Sequence, residues 1–454
     1  MVSRRGFLAM AAAGLLRIQK TPEDVAHLEM IVRSARPEDL EMPPSGFGDF
    51  ITPIEHFFVR THVSVPRVDI AQWRLKVEGD VATPLTLSID DLRKMPSHEL
   101  VSVLECAGNG RSMYDPPVAG LQWANGAAGN GRWRGVGLSD LLQRAGVKTG
   151  AVEILLDGAD VPIGTMADFQ RSIPIKKALH PGTLLAYSMN GDTLPIKHGF
   201  PLRAIVPGWA GDFWVKWVTS VRVLNEEYQG FWMKNAYLYP DKQVAPGTLV
   251  PPEAMSPVTR LRVKSVIAFP TNGARVEVGR RILVRGAAWS GDTGRVVSVD
   301  VSNDGGRSWR RTRLTGEATE FGWRMWEFPW TPPSDGHHTL LARARDSTGD
   351  VQPLVPDWNP SGYLWNAVTR VDFDAGQNSS STAPDDASPA VSQPSGFRGT
   401  CLACHDEDVI RQQHLSRAQW DREINKMIGW GARVSAEDRE MLLDYLAKLA
   451  GPRR

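Results

Sequence analysis

Cysteine is scarce in this 454-residue chain, and neither sign of charge is in excess. The three cysteines, Cys106, Cys401 and Cys404, are far too few to staple a disulfide scaffold. Lys plus Arg number 52 against 51 Asp plus Glu, a formal net charge of +1, so no global field points to nucleic acid or an anionic membrane. No Gly-x-Gly-x-x-Gly joins a strand to a helix and no P-loop signature is present, which leaves nucleotide-binding readings without support. Long apolar runs are missing too. The stretch Phe7 to Leu16 falls short of the roughly 20 residues a transmembrane helix needs, so no membrane span is expected in the mature protein.

Tryptophan (16), glycine (42) and proline (32) are plentiful, which favours strands and loops over a helical bundle. At roughly 150 residues per domain the length suggests about three domains. Arg4 and Arg5 precede the short apolar run, the pattern of a twin-arginine signal peptide over residues 1–20. That route carries proteins that fold around a cofactor before export, and it implies a periplasmic location.

Residues 40–250 alternate short apolar runs with Gly/Pro turns. Val101 to Leu104, Leu184 to Tyr187 and Leu202 to Val206 read as strands, and Leu138 to Arg144 as a helix with Ser139 or Asp140 near its start. The mixture argues an α+β domain. From 255 to 373, strand signals recur at Leu261 to Ile267, Arg281 to Gly286, Val296 to Val301, Trp323 to Phe328 and His338 to Ala344. Turn residues separate them, the pattern of an antiparallel β-sandwich. Residues 374–395 are rich in Ser, Ala, Pro and Asp and read as a flexible linker. A small all-α module follows at 396–452, with Ser435 as an N-cap and Met441, Leu442, Tyr445, Leu446 and Leu449 as an apolar stripe.

Within that module Cys401-Leu402-Ala403-Cys404-His405 is the sharpest motif in the chain. Two thiols at this spacing add across the vinyl groups of a haem, and the following histidine reaches the iron. Half a zinc site is the competing reading, but the module holds no other Cys and one other His, His414. A covalently held haem c would also supply a core that so small a module lacks. The module resembles small class I-type cytochromes c, in which a Met ahead of a glycine-containing turn is often the sixth ligand. That points to Met427, before Gly429-Trp430-Gly431, with Met441 and His414 as competitors.

The lone Cys106 sits in Leu104-Glu105-Cys106-Ala107-Gly108-Asn109-Gly110-Arg111. A thiolate in a glycine-rich turn after a strand is a soft ligand that a cofactor can approach closely, and Arg111 would favour its charged form. Around it stand Phe57-Phe58-Val59-Arg60-Thr61-His62, Leu184-Leu185-Ala186-Tyr187-Ser188-Met189-Asn190-Gly191, His198-Gly199-Phe200-Pro201-Leu202-Arg203 and Val215-Lys216-Trp217. These stretches, in this order, resemble the sulfite oxidase family, which binds the molybdopterin form of the molybdenum cofactor. Ala288-Trp289-Ser290-Gly291 and Asp304 to Trp309 resemble that family's immunoglobulin-like dimerisation domain, which implies a homodimer.

The resemblance implies that the Cys106 thiolate binds molybdenum. Arg60 and Tyr187 would line an oxyanion pocket with Arg111 close by. Arg60, His62, Asp160, His198, Arg203 and Lys216 would hold the pterin and its phosphate. Arginine suits both the phosphate and a sulfite dianion, because it gives two parallel charge-assisted hydrogen bonds. One departure bears on the substrate: the family carries an Arg in a Trp-Asn-x-Arg-Gly stretch where this chain reads Trp358-Asn359-Pro360-Ser361-Gly362-Tyr363. Such runs recur in sulfane dehydrogenases. The expectation is therefore a sulfite dehydrogenase passing electrons through its own haem to an external cytochrome c, the linker letting the haem module swing. A sulfane dehydrogenase, another sulfur-oxyanion or sulfoxide molybdenum enzyme, and a non-catalytic electron carrier are the alternatives.

Overall fold

The computed structural model describes residues 29–62, 64–376 and 393–452. The expected signal segment 1–20 and residues 377–392 of the expected linker lie outside the described residues. Among the described residues no helix is long and apolar enough to cross a membrane.

Two sheets build the first domain. In one, Ala128–Gly137 is flanked antiparallel by Ser97–Glu105 and Leu184–Met189, and the latter also pairs with Asp192–Thr193 and Arg203–Ile205. In the other, Ser220–Leu224 runs parallel to Leu75–Gly79 and antiparallel to Glu153–Asp157, with Leu85–Leu87 and Gln170–Pro174 at the edges. Leu75, Trp133, Leu138, Ile154, Leu184 and Trp214 bury themselves in a shared core, the usual outcome for apolar positions on one face of each strand. The helix Leu138–Ala145 starts straight out of its preceding strand, with Gly137 as N-cap and no side-chain cap. Ser139 and Asp140 thus do not cap it. The Asp140 carboxylate instead reaches His98 Nε2 at 2.8 Å.

The second domain is a β-sandwich. One sheet orders Lys264–Phe269, Ile282–Trp289, Arg324–Trp330 and Arg313–Thr315. The other contains Val296–Ser302, Gly336–Asp346 and Thr369–Ala375 among its five strands. Between them pack Val284, Val299, Trp326, Leu340 and Phe373. Thr369–Ala375, absent from the sequence reading, takes in the first two residues of the expected linker.

Four helices form the last module: Ser395–Thr400, Glu407–Arg411, Arg417–Gly429 and Ala436–Leu449. Ser435 accepts from the Asp438 backbone N–H at 3.0 Å, as a cap should. The inward face is Leu442, Leu443, Tyr445 and Leu446, closing on Phe397, Trp420 and Ile424. Met441 is 44 % exposed and so is not core, a correction to the expected stripe.

This module is seated on the rest of the chain rather than held clear of it. The Gln413 amide both accepts from Gly120 N–H (2.9 Å) and donates to Gly120 O (3.1 Å). Gln419 Nε2 donates to Pro117 O at 2.8 Å. The N-terminal hairpin Ile31–Ala35/Glu38–Glu41 grips the other side, where Arg36 Nη2 donates to Leu402 O at 2.6 Å and Gln412 Nε2 to Arg33 O at 2.8 Å. The Trp430 ring lies 5.8 Å from that of Trp232 and 6.0 Å from that of Phe231.

Candidate active site

Cys106 follows directly on the strand Ser97–Glu105 and keeps one more rung of pairing, its N–H donating to Ala127 O at 2.9 Å. The chain then turns, Asn109 N–H returning to Cys106 O at 2.9 Å. Glu105, just before it, is buried and fully engaged. Its Oε1 accepts from Asn109 Nδ2 (2.8 Å) and Lys264 Nζ (2.9 Å), and its Oε2 from Trp289 Nε1 (2.7 Å). Lys264 and Trp289 belong to the sandwich, so the second domain holds the cysteine loop of the first.

The thiol faces a cavity lined by Arg60, His62, Asp160, His198, Arg203 and Lys216, six of the sequence-predicted residues, together with Tyr237. Arg60 is pinned by Asp39, Nη1 lying 3.2 Å from both carboxylate oxygens. Lys216 Nζ donates to the backbone O of Arg60 (2.9 Å) and Lys197 (3.1 Å), and Arg203 Nη1 to His198 O (3.0 Å). Burial drives Arg203 down to about 9, Lys216 to about 7 and His198 to about 3. Each is a buried cationic group, or one that would be cationic, lacking enough anion around it. Burial pushes Asp160 up to about 6, against the pull of Lys216. The buried Arg203 Nε has no hydrogen-bond partner among the described residues. Such a cluster wants a multiply charged anion, and the phosphate of a pterin fits it. Burial raises the Cys106 thiol, while Arg60 and Arg111 draw it back toward the thiolate a soft metal needs.

On its other side Cys106 opens, with Arg60 and Arg111, into a wider cavity bordered by Tyr237, Ser361 and Tyr363. Arg111 Nη1 donates to Leu121 O (3.0 Å) and Nη2 to Ser361 O (3.2 Å), and the guanidinium stands 5.0 Å over the Tyr363 ring. Three glycines make room for it. A Cβ at Gly108, Gly120 or Gly362 would come within 2.7, 2.8 or 2.9 Å of Arg111 atoms. Gly108→Ala is therefore expected to displace the guanidinium. A misplacement near 1 Å costs about 10²-fold in turnover, so steady-state rates on G108A should fall roughly ten- to a hundredfold with cofactor content unchanged.

Tyr187 is not in either cavity. It is half-buried on the strand Leu184–Met189, packed against the first-domain core. The tyrosine that meets Cys106 and Arg60 is Tyr237, buried, with its hydroxyl hydrogen-bonded to His62 Nε2. Its ring stacks on Tyr363 at 5.4 Å, and Arg171 stands 5.4 Å beneath it. Arg171 is itself buried against Asp212, Nη2 to Oδ2 2.6 Å. Sequence reasoning missed Tyr237, whose one local peculiarity, a φ of 55°, is not visible in a sequence.

A third cavity lies between the helical module and the rest of the chain, reaching Asp39, Arg60 and His62 on one side. Cys401, Cys404, His405 and Met427 line it with Ile410, Trp420, Ile424, Leu442 and Leu446, whereas Met441 and His414 do not. Burial raises the Cys401 thiol to about 11 and lowers His405. Among the described residues no three Cys, His, Asp or Glu side chains converge as a bare metal ion requires. Two thiols, an imidazole and a thioether around an apolar slot instead suit a ligated macrocycle. Arg60, His62, Lys426 and Trp430 border this cavity and the wide one alike.

Fold and donor set together define a molybdopterin-binding oxidoreductase with a dimerisation domain. Residues 62–232 match the family model "Oxidoreductase molybdopterin binding domain" and 255–375 the model "Mo-co oxidoreductase dimerisation domain". The chain is 38% identical over 362 residues to the sulfite oxidase of Gallus gallus, covering 76% of this chain and 78% of that one. It is 31% identical over 377 residues to the sulfite oxidase of Arabidopsis thaliana, covering 77% and 95%. With mitochondrial sulfite oxidase of Rattus norvegicus the identity is 37% over 368 residues, covering 77% of this chain and 66% of the rat protein's length. The crystal structure of the sulfane dehydrogenase SoxCD from Paracoccus pantotrophus superposes with a TM-score of 0.67 at 28% identity, covering 81% of this chain and 92% of that one. The chain belongs to the sulfite oxidase family.

Proposed function

We propose that this chain is a periplasmic sulfite dehydrogenase, acting as a homodimer. Sulfite and water give sulfate, two protons and two electrons; Cys401, Cys404 and His405 would hold a haem c, which would supply one-electron transfer to an external cytochrome c. One observation supports this above the rest: the cavity of Cys106, Arg60, Arg111 and Tyr237 shares walls with the cavity that holds the CxxCH motif. The molybdenum cofactor supplies two-electron oxygen-transfer chemistry when bound. Cys106 would ligate it, and Arg203, Lys216 and His198 would hold its phosphate. Arg60 and Arg111 would orient the sulfite dianion by charge-assisted hydrogen bonds. The Tyr237 hydroxyl, positioned by His62, would donate to an oxygen of the reacting group. Sulfite added to purified, cofactor-replete protein should bleach the oxidised haem spectrum within the turnover time. No haem reduction in a preparation with molybdenum confirmed would end this reading.

Met427 is proposed as the sixth haem ligand, facing the same slot as His405. Met427→His is expected to lower the haem reduction potential by on the order of 100 mV, since a thioether raises it and axial ligands set potentials over ~0.8 V. A spectroelectrochemical titration reads this directly, and an unchanged potential would assign the position to another group.

A sulfane dehydrogenase is the second reading. It is favoured by Ser361, which stands where the family carries an arginine, and by the likeness to SoxCD. Turnover compared on sulfite, thiosulfate and sulfoxides separates the two.

A further inference from the structure

The helix Arg417–Gly429 has two working faces. Trp420, Ile424 and Met427, at spacings of four and three, turn into the slot of the CxxCH motif. Gln419 and Arg422 border the wide cavity that ends at Cys106, and Glu423 and Lys426, between the two faces, border both cavities. The module thus forms a wall of the chamber through which a substrate reaches the thiol.

The charges on that wall differ in their freedom. Lys426 Nζ is held by Glu423 Oε1 at 2.6 Å and stands 5.0 Å over the Trp430 ring, so its charge is largely answered. Glu423 is the one carboxylate among the described residues lining this cavity. Arg422 is exposed and pairs with no carboxylate among the described residues. Across the cavity Ser361 offers no charge, and its carbonyl oxygen is already taken by Arg111. Arg60 and Arg111 are committed to Asp39, Leu121 and Ser361, deep beside the thiol. An anion entering from solvent therefore meets Arg422 before it meets them.

The geometry points to Arg422 as a specificity-determining residue. The C-terminal module, besides accepting electrons, supplies the outer cation that selects a small, doubly charged oxyanion. This inference rests on the reading of the Cys106 cavity as an oxyanion site. A solvent-facing cation acts through screened attraction on an incoming anion, which sets capture more than chemistry.

The test uses the full-length holoprotein and the variants Arg422→Ala, Arg422→Lys and Arg422→Glu, matched for haem content and thermal transition. In R422A the KM for sulfite should rise about three- to tenfold with kcat within about twofold, since an exposed charge contact is worth up to ~1 kcal/mol or slightly more. R422K should restore most of it, and R422E should exceed R422A. The gap between wild type and R422A should close as salt rises from about 0.01 to 0.3 M. Calorimetric binding of sulfate, which needs no turnover, should weaken by the same factor. Unchanged sulfate affinity and unchanged KM in R422A overturn the inference and leave the proposed reaction standing. If wild type fails to oxidise sulfite, the reaction falls, and sulfate binding to wild type and R422A alone decides the inference: weaker binding in R422A supports it, equal binding overturns it.

Discussion

Replacing Cys106 with serine is expected to abolish substrate-driven reduction of the proposed haem, with turnover down by about 10³-fold or more. Changing groups that merely support metal ligands costs about 10–100-fold, so loss of the ligand itself should cost more. The physical reason is softness and charge together: a thiolate suits the metal, whereas a serine hydroxyl remains protonated and hard. The fold should survive. The backbone hydrogen bonds at this position, to Ala127 O and from Asn109 N–H, do not use the side chain, the Gly108 N–H that faces the thiol can face a hydroxyl as well, and the two side chains are close in size. The checks are molybdenum content, circular dichroism, and stopped-flow haem absorbance after mixing with sulfite. A C106S protein that reduces its haem at the parent rate would show that catalysis does not occur at this thiol.

Lys264→Met is expected to be strongly destabilising although it lies outside the hydrophobic cores. The Lys264 ammonium and the Glu105 carboxylate are both buried, their side chains 1% and 8% exposed. Without the ammonium, Glu105 keeps its hydrogen bonds from Asn109 and Trp289 but loses the counter-charge that Lys264 places 2.9 Å away. Breaking a buried pair from one side costs about 3–5 kcal/mol. For a domain of ~150–250 residues each kcal/mol shifts Tm by ~2–4 °C, so the transition should move down by roughly 10 °C. Because the carboxylate neighbours Cys106, turnover should fall as well. The double variant Glu105→Gln/Lys264→Met leaves no orphaned charge and should regain most of the lost transition temperature. If K264M alone melts like the parent, the pair contributes little to stability.

The chemistry of the site was more legible in the chain than its geometry. Cys106, Arg60, His62, Arg111, His198, Arg203 and Lys216 stand in short stretches of distinctive order, and the fold brings them, with Asp160 from outside those stretches, to one pair of cavities. Tyr187 also stands in such a stretch, yet strand geometry turns it onto the first-domain core. Tyr237 reaches the thiol through a loop whose backbone has no periodic signature. Alternation of apolar and polar residues placed most sandwich strands to within a few residues. Thr369–Ala375 was missed because its partner Gly336–Asp346 is distant in sequence, and pairing across such a separation leaves no local mark. Glu105 and Lys264, 159 positions apart, look like ordinary surface charges until the domains close around them. The helical module could be read for composition but not for where it sits, because Gln413, Gln419 and Gln412 anchor it through backbone groups of other segments that carry no side-chain code.

Arg60 belongs to the borders of all three chambers at once. A kinetic phenotype from its replacement would therefore be a composite. On the proposed function, altered cofactor retention, altered capture of the oxyanion and an altered midpoint of the proposed haem would arrive together and could not be apportioned from rates alone. Arg111 and Arg203 border one compartment each of the three, and separable experiments begin with them.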